Sequence, residues 1–259
     1  MDKEIDGVTI HWEEEGDRGS RVLLLHGWGC DISLMRPVAD VLKTKHHVMM
    51  IDFPGHGKSG RPPEPWGVPE FAENLVHLLK ETGFYPCAVI AHSFGCRVAA
   101  WIAGEYPDLF TKMIFTGAAG IRPRQSEEAK ARAERYQRLK KQAAAIGRIP
   151  FMRGAAETIT EKLRRKYGSA DYNRLDEEMR KTFVKVINLD LTERYDRIRQ
   201  STLLIWGDQD TETPIWMGQE IEKRIADCAL IRLEGGTHFA YLEQINRFNT
   251  IAAQFLKEE

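Results

Sequence analysis

The chain has 259 residues, of which 42% are hydrophobic, and 37 Lys+Arg against 38 Asp+Glu leave a net charge of −1. That length suits one large α/β domain, and the balanced charge excludes nucleic acid as the main partner. The start, Met1-Asp2-Lys3-Glu4-Ile5-Asp6, is acidic with no apolar core segment, and no run approaches the roughly 18 apolar residues of a membrane span, so a cytoplasmic protein without signal peptide or membrane span is expected.

A β-rich start, roughly Val8 to Glu14, leads through a Gly/Asp/Arg/Ser turn to an apolar strand at Val22–Leu25. Helix Ser33–Leu42, strand Val48–Phe53 and helix Val68–Thr82 follow. Tyr85 to Ala91 is an apolar run of the kind that forms a buried parallel strand. Cys96 to Glu105 carries apolar residues at helical spacing and ends before Pro107. After strand Lys112–Thr116 and Gly117-Ala118-Ala119-Gly120 the period changes. From Ile121 to Gln200 no strand-like run occurs, only helix-favouring stretches broken at Gly147, Pro150, Gly154 and Gly168. Alternation resumes with strand Thr202–Gly207, helix Ile215–Ile225, strand Cys228–Leu233 and helix Ala240–Lys257. The reading is an α/β core of residues 1–120 and 201–259, interrupted by a helical insertion at 121–200. Cys30, Cys87, Cys96 and Cys228 have neither metal nor CxxC spacing, so free thiols in a reducing compartment and no metal are expected.

Chemistry concentrates at Ala91-His92-Ser93-Phe94-Gly95, between the Tyr85–Ala91 strand and the helix that follows it. Small residues two before and two after a serine suit a sharp strand-to-helix turn that projects the hydroxyl above the sheet edge. The helix N-terminus behind it favours developing negative charge. A structural turn fits the same five residues, so the rest of the chain must decide. A hydroxyl is a weak nucleophile at neutral pH and needs a base, and the base needs an orienting carboxylate. Asp208-Gln209-Asp210 follows one late strand, and Glu234-Gly235-Gly236-Thr237-His238-Phe239 follows the next. Strand ends of an open α/β sheet share one edge, where ligands bind. Of the eight histidines only His238 follows a late strand with a glycine pair before it. His92 adjoins the serine, but its side chain is expected to point away from the hydroxyl.

These residues, with His26-Gly27-Trp28-Gly29, Asp52-Phe53-Pro54-Gly55-His56-Gly57-Lys58-Ser59, Trp206-Gly207-x-x-Asp210 and Gly236-Thr237-His238 with Glu243, resemble the α/β-hydrolase superfamily over essentially the whole chain. The likeness is to its capped serine esterase and C–C bond hydrolase branch. The resemblance implies a mostly parallel sheet flanked by helices, with a helical cap inserted after the sixth family strand. It implies Ser93 as nucleophile and His238 as base, and its Gly-x-x-Asp pattern selects Asp210 over Asp208 as orienting acid. His26 and His56 fall where the family's histidines are structural. Backbone N–H groups of Trp28 and Phe94 would form the oxyanion hole. Cofactor-free hydrolysis of small to medium carboxylic esters is then expected. C–C bond hydrolysis of an enol diketone, lactone hydrolysis, and a ligand-binding receptor on the same fold stand as alternatives. Dehalogenases of this fold are excluded, since they use an aspartate where this chain has Ser93.

The insertion is charged unlike the remainder. Residues 121–200 hold 21 Lys+Arg and 12 Asp+Glu, a net +9, whereas the rest hold 16 and 26, a net −10. Such segregation fits steering of anionic substrates, with Arg122, Arg124, Arg148 and Arg153 as candidates, and equally fits solvated outer faces of amphipathic helices. Trp28, Phe94, Phe151, Met152, Phe183 and Phe239 are candidate pocket residues, although aromatic core packing explains Trp28 and Phe94 as well. The expected partner is a small-molecule ester, and the expected assembly a monomer or homodimer.

Overall fold

The apolar runs form one eight-stranded sheet in the computed structural model, which describes residues 1–122, 127–147, 158–163 and 170–257. The strands are β1 (Asp2–Ile5), β2 (Val8–Glu15), β3 (Arg21–Leu25), β4 (His47–Ile51), β5 (Cys87–His92), β6 (Phe110–Thr116), β7 (Ser201–Gly207) and β8 (Cys228–Leu233). Their spatial order is β1-β2-β4-β3-β5-β6-β7-β8. β3 to β8 are parallel, while β1 and β2 add an antiparallel hairpin at the β4 side. All six parallel strands therefore end on one edge.

Helices cover both faces, which is why the central strands are apolar without alternation. Leu23, Leu25, Val89, Ala91, Met113 and Phe115 face one core with α2 (Val68–Thr82) and α3 (Phe94–Glu105). Val22, Leu24, Ala88, Ile90 and Ile114 face a second core with α1 (Arg36–Leu42) and the C-terminal α11 (Ile245–Phe255). Every residue of β5 is buried, so its end is fixed from both sides. α2 begins where Glu70 Oε2 accepts the Gly67 N–H at 2.8 Å and ends at Gly83, left-handed at φ 67°.

Three departures from the sequence reading have local causes. β1 was not expected, since Lys3 and Glu4 are charged; it is an exposed edge strand turned back through Asp6-Gly7, both at positive φ (51° and 76°). The first helix starts at Arg36 rather than Ser33, because Asp31 accepts the Ser33 N–H at 2.8 Å and caps a separate 3₁₀ turn, Ile32–Leu34. The last helix divides into α10 (Ala240–Glu243) and α11 at Gln244, whose side chain donates to Glu234 O at 2.8 Å.

The chain folds as two compact units, Met1–Ile121 with Val184–Glu259, and Arg122–Phe183. The described elements of the second unit are all helices: α4 (Glu127–Gly147), residues 158–163 (α5), α6 (Ala170–Arg174) and the first part of α7 (Glu177–Asn188). It is shorter than the insertion read from the sequence, as residues 184–200, including α8 (Thr192–Tyr195), belong with the sheet. Arg97 Nη1 helps hold them there, donating to Val186 O at 3.2 Å and Leu189 O at 3.1 Å. No helix among the described residues is long and apolar enough to cross a membrane.

Candidate functional site

Ser93 closes the turn between β5 and α3 at φ 49° and ψ −103°, a strained backbone for a non-glycine residue. Tight neighbours hold it there. A Cβ on Gly95 would stand 2.7 Å from Leu25 O and 2.8 Å from Leu25 Cβ, so α3 runs against the end of β3 only because residue 95 is glycine. Gly95 N–H also donates to His26 O at 3.2 Å, and Ser93 N–H to Thr116 O at 3.0 Å. The turn is thus tied to the ends of both neighbouring strands.

Gly27, after β3, approaches from the other side, where an added Cβ would lie 3.4 Å from Ser93 Cβ. Trp28 follows it and is half-buried. Phe94 is the first residue of α3, so its N–H belongs to the helix end that has no intrahelical acceptor. The Phe94 ring is buried against Phe53 (4.9 Å between centroids), Phe71 (5.0 Å) and Trp28 (5.3 Å). Phe94 therefore supports the elbow from the core.

The loop after β7 separates the two candidate aspartates. Asp208 is half-buried and accepts the Gly235 N–H at 2.8 Å, joining the loops after β7 and β8. Asp210 is buried: its Oδ1 accepts Glu212 N–H and Thr213 N–H at 2.9 Å each, and its Oδ2 the Thr213 hydroxyl at 2.8 Å. Oδ2 also lies 2.8 Å from His238 Nδ1. Burial raises the Asp210 pKa, but the hydrogen bond and charge of His238 with the Thr213 donors outweigh it and hold the carboxyl below 3.8. The expected pairing of Asp210 with His238 is present in this geometry, and Asp208 takes the turn.

His238 follows β8, and its ring lies against Gly117, just past the end of β6, the strand beside β5. The bare Gly117, next after Thr116, would place a Cβ 3.0 Å from both Nδ1 and Cε1 of the imidazole. Glu243 fixes the loop by accepting the Thr237 N–H at 2.8 Å and the Thr237 hydroxyl. Half-buried Phe239 packs beside the imidazole at 5.6 Å. Glu212, exposed, brings its Oε2 to 3.9 Å from His238 Nε2.

The remaining histidines here are structural. His26 Nε2 accepts the Phe53 N–H at 3.0 Å while its Nδ1–H donates to Gly27 O at 2.7 Å. Burial pushes His26 and His56 down to about 4, so both are neutral at pH 7. Asp52 organises the loop after β4, accepting Ile32 N–H and Lys58 N–H at 2.8 Å each. Cys96 is fully buried with its thiol against Ala91 O, and burial raises its pKa, which removes it as a nucleophile. Among the described residues no cluster of three or more His, Cys, Asp or Glu is arranged for a metal ion.

A family model described as the alpha/beta hydrolase fold matches residues 20–244. The chain belongs to the α/β-hydrolase family. This α/β hydrolase is similar to the 2-hydroxy-6-oxo-6-phenylhexa-2,4-dienoate hydrolase of Comamonas testosteroni, 24% identical, covering 99% of this chain and 94% of that protein. It is likewise similar to the pimeloyl-[acyl-carrier protein] methyl ester esterase of Chromobacterium violaceum, 23% identical over 93% and 96% of the two chains. The crystal structure of the enol-lactonase from Burkholderia xenovorans LB400 superposes with a TM-score of 0.76 at 20% identity, covering both chains fully.

Of the candidate pocket residues, Phe183 lies on α7 in the second unit, its ring 6.4 Å from Tyr172. Phe151 and Met152 lie outside the described residues, as do Arg124, Arg148 and Arg153, while Arg122 is exposed. Thr213 escaped the sequence reading although its hydroxyl lies 3.2 Å from His238 Nδ1 as well as on Asp210. It stands one residue beyond Glu212, whose N–H closes an ordinary Asx turn on Asp210, a signal for local hydrogen bonding but not for a site.

Proposed function

We propose that this α/β hydrolase is a cofactor-free serine hydrolase of small to medium carboxylic esters. The observation that carries the reading is the strained Ser93 on an elbow tied to the same sheet edge as the buried Asp210–His238 pair. Ser93 Oγ attacks the ester carbonyl while His238 Nε2 takes its proton. Asp210 holds Nδ1–H, keeping Nε2 free to accept, and stabilises the imidazolium that forms. Charge on the former carbonyl oxygen is met by the N–H groups of Phe94 and Trp28, each such donor contributing about 10²–10³ in rate. His238 returns the proton to the leaving alcohol, and water repeats the sequence on the acyl-enzyme.

A second reading has the same residues cleave a hydroxy-oxo-dienoate, supported by the likeness to the Comamonas testosteroni hydrolase. p-Nitrophenyl esters of graded chain length, assayed beside a 2-hydroxy-6-oxo-dienoate, separate the two. Turnover of at least one ester far above that of the dienoate is expected. Preference for the dienoate would transfer the proposal to C–C bond cleavage, and stoichiometric, non-cycling reaction would point to a binding protein.

A further inference from the structure

His92 stands immediately before the nucleophile, yet its ring faces the base. It is 1% exposed, and its Nε2 is 3.0 Å from the backbone carbonyl oxygen of His238. The ring lies in a cluster of tilted rings, with centroids 4.8 Å from His238, 5.0 Å from Phe239 and 4.9 Å from Tyr241. Burial, then the charge of His238, pushes its pKa down to about 3, so the ring is neutral. A carbonyl can only accept, so the single ring proton sits on Nε2 and the bond runs from His92 to His238 O. Nδ1 is then a lone-pair acceptor, buried without a hydrogen-bond partner, facing Gly27, where a Cβ would come within 2.7 Å of it.

We infer that His92 is a positioning residue that locks the main chain of His238 to the nucleophile strand. The inference rests on the reading of His238 as the base. Asp210 fixes the imidazole through Nδ1, but a ring pivots about its own backbone, and His92 holds that pivot. Residues 92 and 93 are consecutive on one rigid strand end, so the base loop and the nucleophile share a reference frame without contact between their reacting atoms. A displacement of about 1 Å of a catalytic group costs up to about 10²-fold in rate.

Two amides test this, because glutamine can bring an N–H to the position of imidazole Nε2 whereas asparagine reaches only that of Nδ1. His92→Asn should lower kcat for p-nitrophenyl butyrate by about 10–10²-fold with KM within about twofold. His92→Gln should stay within about threefold, with both variants folded at the assay temperature as judged by their Tm. The downfield proton resonance of the His238 Nδ1–H···Asp210 bond, read at one pH, should be preserved in His92→Gln and displaced or broadened in His92→Asn. Equal losses in the two variants, or an unmoved resonance in His92→Asn, would overturn the inference. A wild-type protein with no ester turnover, but with the resonance moved only by His92→Asn, would refute the functional reading and leave the lock standing.

Discussion

Replacing Asp210 by asparagine tests the whole hydrogen-bond arrangement around the base. The backbone anchors survive: Asn Oδ1 can still accept Glu212 N–H and Thr213 N–H, the two 2.9 Å bonds that hold the turn. The amide nitrogen then takes the place of Oδ2, 2.8 Å from His238 Nδ1, where a donor meets what was a donor. Relief comes only by moving the imidazole proton to Nε2, the atom that must accept from Ser93. The loss is set by this wrong tautomer, on the scale of about 10⁴ in kcat seen for the corresponding change in a serine protease triad, or about 5.5 kcal/mol. Asp208→Asn keeps an oxygen for the Gly235 N–H and should stay within about threefold. Both variants should be assayed with p-nitrophenyl butyrate and normalised to folded protein by circular dichroism. Asp210→Asn within tenfold of wild type, or Asp208→Asn the slower variant, would refute the reasoning.

Ser93→Ala should remove all but a residual rate from binding and oxyanion stabilisation; more than a few per cent of kcat in a purified variant excludes Ser93 as nucleophile. Stability should fall as pH drops from about 6.5 to 4, because unfolding lets His26, His56 and His92 recover their ordinary affinity for a proton. All three are depressed in the folded state, so their stabilisation is complete above the unfolded value of 6.5 and lost toward their folded values. Each proton of difference adds a slope of up to about 1.4 kcal/mol per pH unit, and a urea midpoint unchanged between pH 6.5 and 4.5 would contradict this. Glu212→Gln should raise kcat/KM at low salt for an ester with a carboxylate in its leaving group, since Glu212 lies 3.9 Å from the nitrogen that protonates that group. A neutral ester of equal length should not respond, and the difference should shrink as the Debye length contracts from about 30 Å at 0.01 M salt to about 8 Å at 0.15 M. If the +9 charge of residues 121–200 dominates instead, kcat/KM for the anionic ester falls with salt in wild type.

The parallel strands were legible because burial on both faces demands unbroken apolar runs, and each run from Val22 to Leu233 is bounded by turn residues. The elbow was legible for a steric reason: Gly95 must pass Leu25 without a Cβ. β1 was hidden because a strand exposed along three of its four residues needs no hydrophobic pattern. Residues alone left Asp208 and Asp210 open, and the family pattern chose between them; burial and the bond to His238 give the physical distinction. Thr213 and the His92 contact depend on which atoms meet across 25 and 146 positions of chain, which no local periodicity encodes.

The parallel pairing of β6 with β7 also has a cost in time. Thr116 and Ser201 border the 84 residues from Gly117 to Gln200, so β6 leaves the ribosome long before its neighbour exists. At about 5–20 residues per second that interval is roughly 4–17 s, during which β6 presents an unpaired edge bearing Met113, Ile114 and Phe115. The nascent chain thus passes through a stage in which the nucleophile half is built and its open flank is adhesive. Asp210 and His238 arrive with the strands that seal it.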